Sequence, residues 1–189
     1  MAFWTDNVET KRKYRFVLDI TKEAGGEGLG FERWVVTKVT RPSFSVTDTA
    51  HSYLNHTFKF PGRVTWEDVS FSVVEPLSRD STDRLMAMLY KAGYRVPSVD
   101  DSTTMAKNTS ILATAKISAI NAQGYAIDTW TLHNAWISQA SLGDFDYSAD
   151  DLMGIDITLK YDFATYAKQA LHPEGNGPTD GHGLNNIGG

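Results

Sequence analysis

Apolar and polar residues alternate with period two over much of this chain, and the longest such run lies near its C-terminal end. Ile155, Ile157, Leu159, Tyr161 and Phe163 fall on one side of an extended backbone, and Asp156, Thr158, Lys160 and Asp162 on the other. This pattern predicts one long, half-buried strand following an acidic turn. Tyr14 to Ile20 alternates in the same way and predicts a first strand. Arg33 to Val39, rich in branched and aromatic residues, reads as its antiparallel partner. Ser43 to Thr47 reads as a third strand. Asp48 to Asn55 is polar except for Tyr53 and Leu54 and reads as an exposed loop. Phe58 to Phe60 is extended again, and Pro61-Gly62 marks a turn. Val64 and Trp66, then Val69, Phe71 and Val73, predict a long strand whose phase changes near Glu67 and Asp68, as at a bulge.

The period then switches to that of a helix. Leu85, Met88, Leu89 and Ala92 form one apolar stripe between Ser81 and Ala92, with Asp80 or Ser81 as cap and Gly93 just past the end. Residues 96–108 are a polar connection. Ala113 to Ile120 and Tyr125 to His133 flank a turn at Asn121 to Gly124 and predict a hairpin, which Ala135 to Ser138 extends or re-aims. Ala164 to Leu171 has helical tendency. The following tail lacks the apolar surface needed to offset the entropy of ordering it. Seven or more strands and one helix predict a mainly β domain: an antiparallel β-sandwich or partial barrel with one flanking α-helix. The expected division is an N-terminal segment 1–13, a β domain 14–166 and a flexible tail 167–189.

Composition narrows the function. Cysteine is absent, which removes disulfides, thiolate metal sites and a cysteine nucleophile together. The net charge of −5 disfavours a dedicated nucleic-acid binder. Lys11, Arg12 and Lys13 follow polar residues rather than precede an apolar run, so the start of the chain does not read as a signal peptide, and no stretch approaches a membrane span. Synthesis in the cytoplasm and no membrane anchor are expected.

Candidate chemistry is sparse. Gly25, Gly26, Gly28 and Gly30 lack the following Lys-Ser/Thr of a phosphate loop and lie between two predicted strands, so they read as a flexible hairpin loop. Asp144, Asp146, Asp150 and Asp151 are dense enough to suggest calcium. An EF-hand register starting at Asp144 places Ala149 and Ile155 where glycine and glutamate are required, which leaves a solvated acidic turn or an interface to a neighbouring subunit. No histidine pair has the helical spacing of a zinc protease, and no serine sits in a nucleophile elbow. His51 and His56 suit a surface or interface. Trp34, Trp66, Trp130 and Trp136 read as core or sheet-face residues, with a stacking platform for single-stranded nucleic acid as the sharper alternative. Neither a catalytic set nor a cofactor is indicated.

The early strand KRKYRFVLDI, the proline-marked RPSFSV and the turn-and-strand element PGRVTWEDVSFSVVEP come in that order, followed by the helix DSTDRLMAMLY, the strand WTLHNAWI and the acidic turn with its alternating strand. Together, over residues 11–166, they resemble the tail tube proteins of contractile-tailed bacteriophages. The glycine loop and the tail beyond Ala167 depart from that pattern. Baseplate proteins and the tubes of type VI secretion and other contractile injection systems share the fold of that family.

The resemblance implies hexameric rings stacked into a tail tube, each contributing to a shared β-barrel around a channel through which double-stranded DNA passes without specific binding. It implies sheath, baseplate and tail-terminator proteins as further partners, and a place in the virion. Six copies at −5 each carry −30 per ring, a charge that repels phosphate where it lines the channel. Tyr53 and Leu54, with His51 and His56 beside them, are candidates for contacts between rings, and Asp144, Asp146, Asp150 and Asp151 for an interface. A baseplate tube-initiator and a small-ligand or polysaccharide-binding β-barrel are the alternatives.

Overall fold

The computed structural model describes residues 10–21, 33–77, 81–94, 104–112, 114–148 and 150–169. The glycine loop and the tail beyond 169 lie outside them. Ten strands occur in chain order: β1 (Phe16–Thr21), β2 (Val36–Val39), β3 (Phe44–Tyr53), β4 (His56–Trp66), β5 (Val69–Val74), β6 (Thr114–Ile120), β7 (Ala126–His133), β8 (Trp136–Ser141), β9 (Gly154–Lys160) and β10 (Phe163–Lys168). Helix α1 (Ser81–Lys91) and the single turn α2 (Lys107–Ser110) separate β5 from β6, and a 3-10 turn at Arg33–Val35 leads into β2. Two four-stranded antiparallel sheets face each other in the orders β1-β6-β7-β10 and β2-β5-β9-β8, and among the described residues β3 and β4 pair only with each other. The result is an antiparallel sandwich with a flanking helix, not a closed barrel.

The sandwich forms because alternate residues on its strands are apolar. On β5, Val69, Phe71 and Val73 are buried, and on the adjacent β9, Ile155, Ile157 and Leu159 are fully buried. Their register partners make continuous rows: Val69 opposite Leu159, Phe71 opposite Ile157 and Val73 opposite Ile155. The first sheet answers with Leu18, Ala115, Ile117 and Leu132, and these residues join one core cluster with Val35, Leu85, Leu112 and Ala135. Each fully buried branched side chain contributes roughly 1.5–3 kcal/mol.

The hairpin around Asn121 forms as the sequence suggests. The Asn121 Oδ1 accepts the backbone N–H groups of Gln123 at 3.0 Å and Tyr125 at 2.9 Å. Helix α1 also forms where its stripe predicts, with Leu85 and Ala92 buried. Its first turn is tied down by Glu75, whose Oε1 accepts from Thr82 Oγ1 at 2.6 Å and from the Thr82 N–H at 3.2 Å. Gly93 ends it at φ +107°, where a Cβ would lie 2.6 Å from the Thr104 carbonyl oxygen. The helix lies beside the β8 edge, with Leu85, Met88 and Leu89 facing Ile137 and Ala140 across a cavity of about 280 Å³.

Several expectations are corrected. Strand β2 is not the partner of β1: β1 pairs with β6 and β2 with β5, in opposite sheets. Alternation marks a strand without saying which edge it joins. The single long strand expected to end at Phe163 is two strands, because the chain leaves one sheet after Lys160 and enters the other at Phe163, opposite His133. Ala164 to Lys168 is strand, not helix, since pairing with β7 overrides a weak local preference. Trp34 is 68% exposed rather than a core or sheet-face residue. The phase change at Glu67 and Asp68 is a true break, where the chain passes from β4 into β5. Likewise Ala135 to Ser138 re-aims the chain: Asn134, at φ +55°, turns it from β7 into β8 of the other sheet.

Ile157→Ala should lower stability by about 2–5 kcal/mol, whereas Lys160→Ala, exposed on the same strand, should stay within about 0.5 kcal/mol of wild type. Urea denaturation of the two variants checks the predicted alternation.

Candidate assembly surface

The segment expected to be a loop is the far half of a long hairpin. Strand β3 runs ten residues to Tyr53 and β4 eleven residues from His56, so Leu54 and Asn55 form the turn. Pro61-Gly62 is not a turn but lies within β4, opposite Asp48 and Thr47, where the register shifts by a bulge. The Thr47 Oγ1 accepts the Arg63 backbone N–H there at 3.0 Å. A Cβ on Gly62 would come within 2.5 Å of that same oxygen, so the close approach requires glycine. Proline is tolerated because, among the described residues, neither strand has a further neighbour to receive its missing N–H.

Every residue of β3 is exposed, and every residue of β4 except Trp66. Despite this the hairpin carries an apolar patch on each face. Register and alternation put Phe44 and Val46 of β3 beside Val64 and Trp66 of β4 on one face near the base, whereas beyond the bulge Tyr53 of β3 shares the other face with Phe58 and Phe60 of β4. The hairpin is anchored at its base. Trp66 packs edge-on against Phe44 at 5.4 Å and against Tyr161 at 6.0 Å, and Tyr161 Oη donates to the Glu67 carbonyl at 2.8 Å. Tyr161 sits at the point where the chain crosses between sheets. Burial, then the negative charges of Asp68 and Glu67, push its pKa up to about 12.

At the far end the structure brings together all four residues proposed for contacts between rings. Tyr53 pairs with His56 and His51 with Phe58, and Leu54, 86% exposed, occupies the turn at φ +51°. A positive φ at the first turn position suits glycine, and a leucine there is strained. Strain tolerated at a fully exposed apolar tip is the kind of local cost that persists at functional sites. The two apolar patches were not singled out from sequence. The signal for the outer one was the alternation of Phe58 and Phe60 with Lys59, which marks a strand with one apolar side wherever that side is directed.

The four carboxylates of the acidic group stand on a separate loop, between β8 and β9, and all are exposed. Asp146 folds the loop locally: its Oδ1 accepts from the Ser148 N–H at 2.9 Å and Oγ at 2.8 Å, which lowers its pKa below the ordinary carboxylate range. Among the described residues no three His, Asp or Glu side chains are placed to hold a metal ion. The loop also exposes Phe145, Tyr147 and Leu152, interleaved with the acids. Phe145 and Tyr147 were legible as aromatic residues in an otherwise polar turn.

No protein-family model and no curated protein matches this sequence. Solved structures do share its architecture. A chain in the baseplate of the anti-feeding prophage aligns with TM-score 0.63 over 86% of this chain and 98% of its own, at 12% identity. The tube-terminating cap of the same particle aligns with TM-score 0.61 over 89% of this chain and 100% of its own, at 17% identity. The chain has the tail-tube fold. The sheath/tube terminator of an extracellular contractile injection system in its extended state is a further match, with TM-score 0.61 over 85% and 98% of the two chains, at 16% identity. Within the described part of this tail-tube fold, no helix is long and apolar enough to cross a membrane.

Leu54→Gly should leave the hairpin intact and raise subunit stability slightly, by relieving the turn, as read by thermal melting. Because the folded-state pKa of Tyr161 is raised above its ordinary value, the stability it contributes is complete below about pH 10 and lost as pH climbs towards about 12. Tyr161→Phe should flatten that decline in urea midpoints measured between those pH values.

Proposed function

We propose that this chain is the self-assembling subunit of the inner tail tube of a contractile phage tail, forming hexameric rings that stack around a channel for DNA. The observation that carries this reading is the hairpin: a 21-residue pair of strands, exposed almost throughout, with exposed apolar side chains on both faces, Phe44, Val46 and Val64 on one and Tyr53, Phe58 and Phe60 on the other. Isolated two-stranded hairpins are marginal in water, and exposed apolar patches of this extent mark protein interfaces. Further copies of the chain cover these patches in the proposed tube, with Tyr53 and Leu54 contacting the neighbouring ring.

The β1-β6-β7-β10 sheet suits the channel wall. Its edge strands β1 and β10 each have one neighbour within the subunit. Joining β10 of one copy to β1 of the next closes four strands from each of six copies into one barrel, which removes open edges. The face turned away from the core carries Asp19, Lys116, Ser118, Thr129, Thr131 and Thr165 by alternation. Asp19 stands opposite Lys116 in register, and Ser118 Oγ lies 2.9 Å from Thr129 Oγ1. Such a wall is hydroxyl-rich with balanced charge, which holds passing phosphates weakly. Sheath, baseplate and terminator proteins are the further partners on this reading, and the virion its location. A second reading, a ring at the baseplate or cap of an injection particle, is favoured by where the neighbours of similar fold sit.

Negative-stain microscopy over a concentration series, with light scattering for mass, tests the proposal. Stacked six-fold rings that lengthen without limit are expected; assembly that stops at one or two rings favours the baseplate or cap reading, and a monomer at every concentration overturns self-assembly. Tyr53→Asp and Leu54→Asp should leave the subunit folded yet prevent stacking, and normal tubes from both would remove the hairpin tip from the mechanism.

A further inference from the structure

At the edge of the sandwich formed by β2 and the start of β1, the two sheets open onto a cavity of about 440 Å³. Six cationic side chains surround it: Lys11, Arg12, Lys13, Arg15, Lys38 and Arg41. One carboxylate, Asp128, belongs to the same lining, is 3% exposed and is engaged by Lys11 Nζ. Arg15 lies over the Tyr14 ring at 5.6 Å. Arg12, Lys13, Lys38 and Arg41 have no carboxylate partner among the described residues. Trp130 also lines the cavity, and its indole N–H is buried without an acceptor. In a chain of net charge −5 this is a local reversal of sign.

The opposite edge of the same sheet is β8. It runs into the loop that carries Asp144, Asp146, Asp150 and Asp151, and the sequence from Leu142 to Met153 contains no Lys, Arg or His. The loop exposes Phe145, at 95%, beside those carboxylates. An acidic, aromatic segment at one edge and a basic, partly apolar cavity at the other are complementary surfaces facing in different directions. Surfaces so arranged make a heterologous contact, which closes into a ring when the rotation between copies permits.

We propose that the acidic β8–β9 loop of one subunit docks at the basic cavity of the next, giving the contact within a ring its register and direction. The inference rests on the tube reading above and names the contact that reading requires between neighbours in one ring. Carboxylates of the loop pair with Arg12, Lys13, Lys38 and Arg41, and Phe145 covers the apolar part of the cavity mouth. Charge pairing of this kind steers encounter and rejects the wrong orientation, because two loops or two cavities brought together repel. Phosphate of a nucleic acid is the other chemistry that fits six cations. The complementary loop within the same chain favours a second copy.

Two charge-reversed variants test the proposal: Arg12→Glu/Lys13→Glu/Arg41→Glu at the cavity and Asp144→Lys/Asp150→Lys/Asp151→Lys on the loop. All of these residues except Arg12 and Lys13 lie away from the strands of the channel wall, and circular dichroism confirms that each variant is folded. Each alone should need a concentration about 100-fold higher than wild type to form rings, the scale expected when close charge pairs at an interface are lost. An equimolar mixture should assemble as wild type does, because every contact in an alternating ring is again between opposite charges. Wild-type assembly should also weaken from about 0.1 to 1 M salt, as the screening length falls from about 10 to 3 Å. Variants that form rings at wild-type concentrations, or a mixture that does not recover, overturn the docking while leaving the tube reading intact; wild-type protein that never assembles overturns both. A cavity variant that assembles normally but loses affinity for a short DNA duplex would overturn the docking and assign the cavity to phosphate.

Discussion

The seam between the two sheets is the interaction on which the rest depends. Phe71, Ile155, Ile157 and Leu159 from one sheet meet Ile117 and Leu132 from the other with almost no exposure, and these are the central strands of both sheets. Burying the centres commits the fold, while the edge strands β1, β10, β2 and β8 each keep one side unpaired among the described residues. A subunit stabilised from the middle can present four edges and a bare hairpin to its neighbours without losing its own core. Stability and assembly are thereby carried by different residues, so substitutions at the hairpin tip or the acidic loop should be separable from folding.

The crossing at Tyr161 and Asp162 links these two sets. Asp162 accepts two hydrogen bonds from Lys107 Nζ at 2.7 Å and one from Asn134 Nδ2 at 2.7 Å, and these hold its carboxyl below the ordinary carboxylate range. Tyr161 reaches the other way, to the Glu67 carbonyl at the base of the hairpin. One dipeptide thus ties the sheet change to α2, to the β7–β8 corner and to the hairpin. The direction in which the hairpin leaves the sandwich is set there, where Trp66 packs on Tyr161.

Much of the molecule was legible before folding was considered. The alternation of Val69, Phe71 and Val73 and of Ile155, Ile157 and Leu159 marked the buried face residue by residue, because a strand's side chains switch sides at every step. Helix α1 and the Asn121 hairpin were marked by local chemistry: an apolar stripe, and an asparagine able to accept its own turn's N–H groups. The tip residues Tyr53 and Leu54 stood out as apolar in polar surroundings. They were assigned to a loop because nothing in Asp48 to Ser52 suggests a strand except its partner, Phe58 to Pro61.

Period and local chemistry, then, were enough to determine a mainly β domain, its core face, its helix and an exposed apolar tip, since each depends on neighbours within a few residues. Tertiary structure alone decided that β1 joins β6 and not β2, that the final run divides between two sheets, and that the bulge in the β3–β4 hairpin sets Phe44, Val46 and Val64 on one exposed face and Phe58 and Phe60 on the other. It alone collected Lys11, Arg12, Lys13, Lys38 and Arg41 around one cavity, across the sheet from the acidic loop. The physical reason is the same in each case: backbone pairing and burial join residues far apart in sequence, and alternation carries no record of the partner.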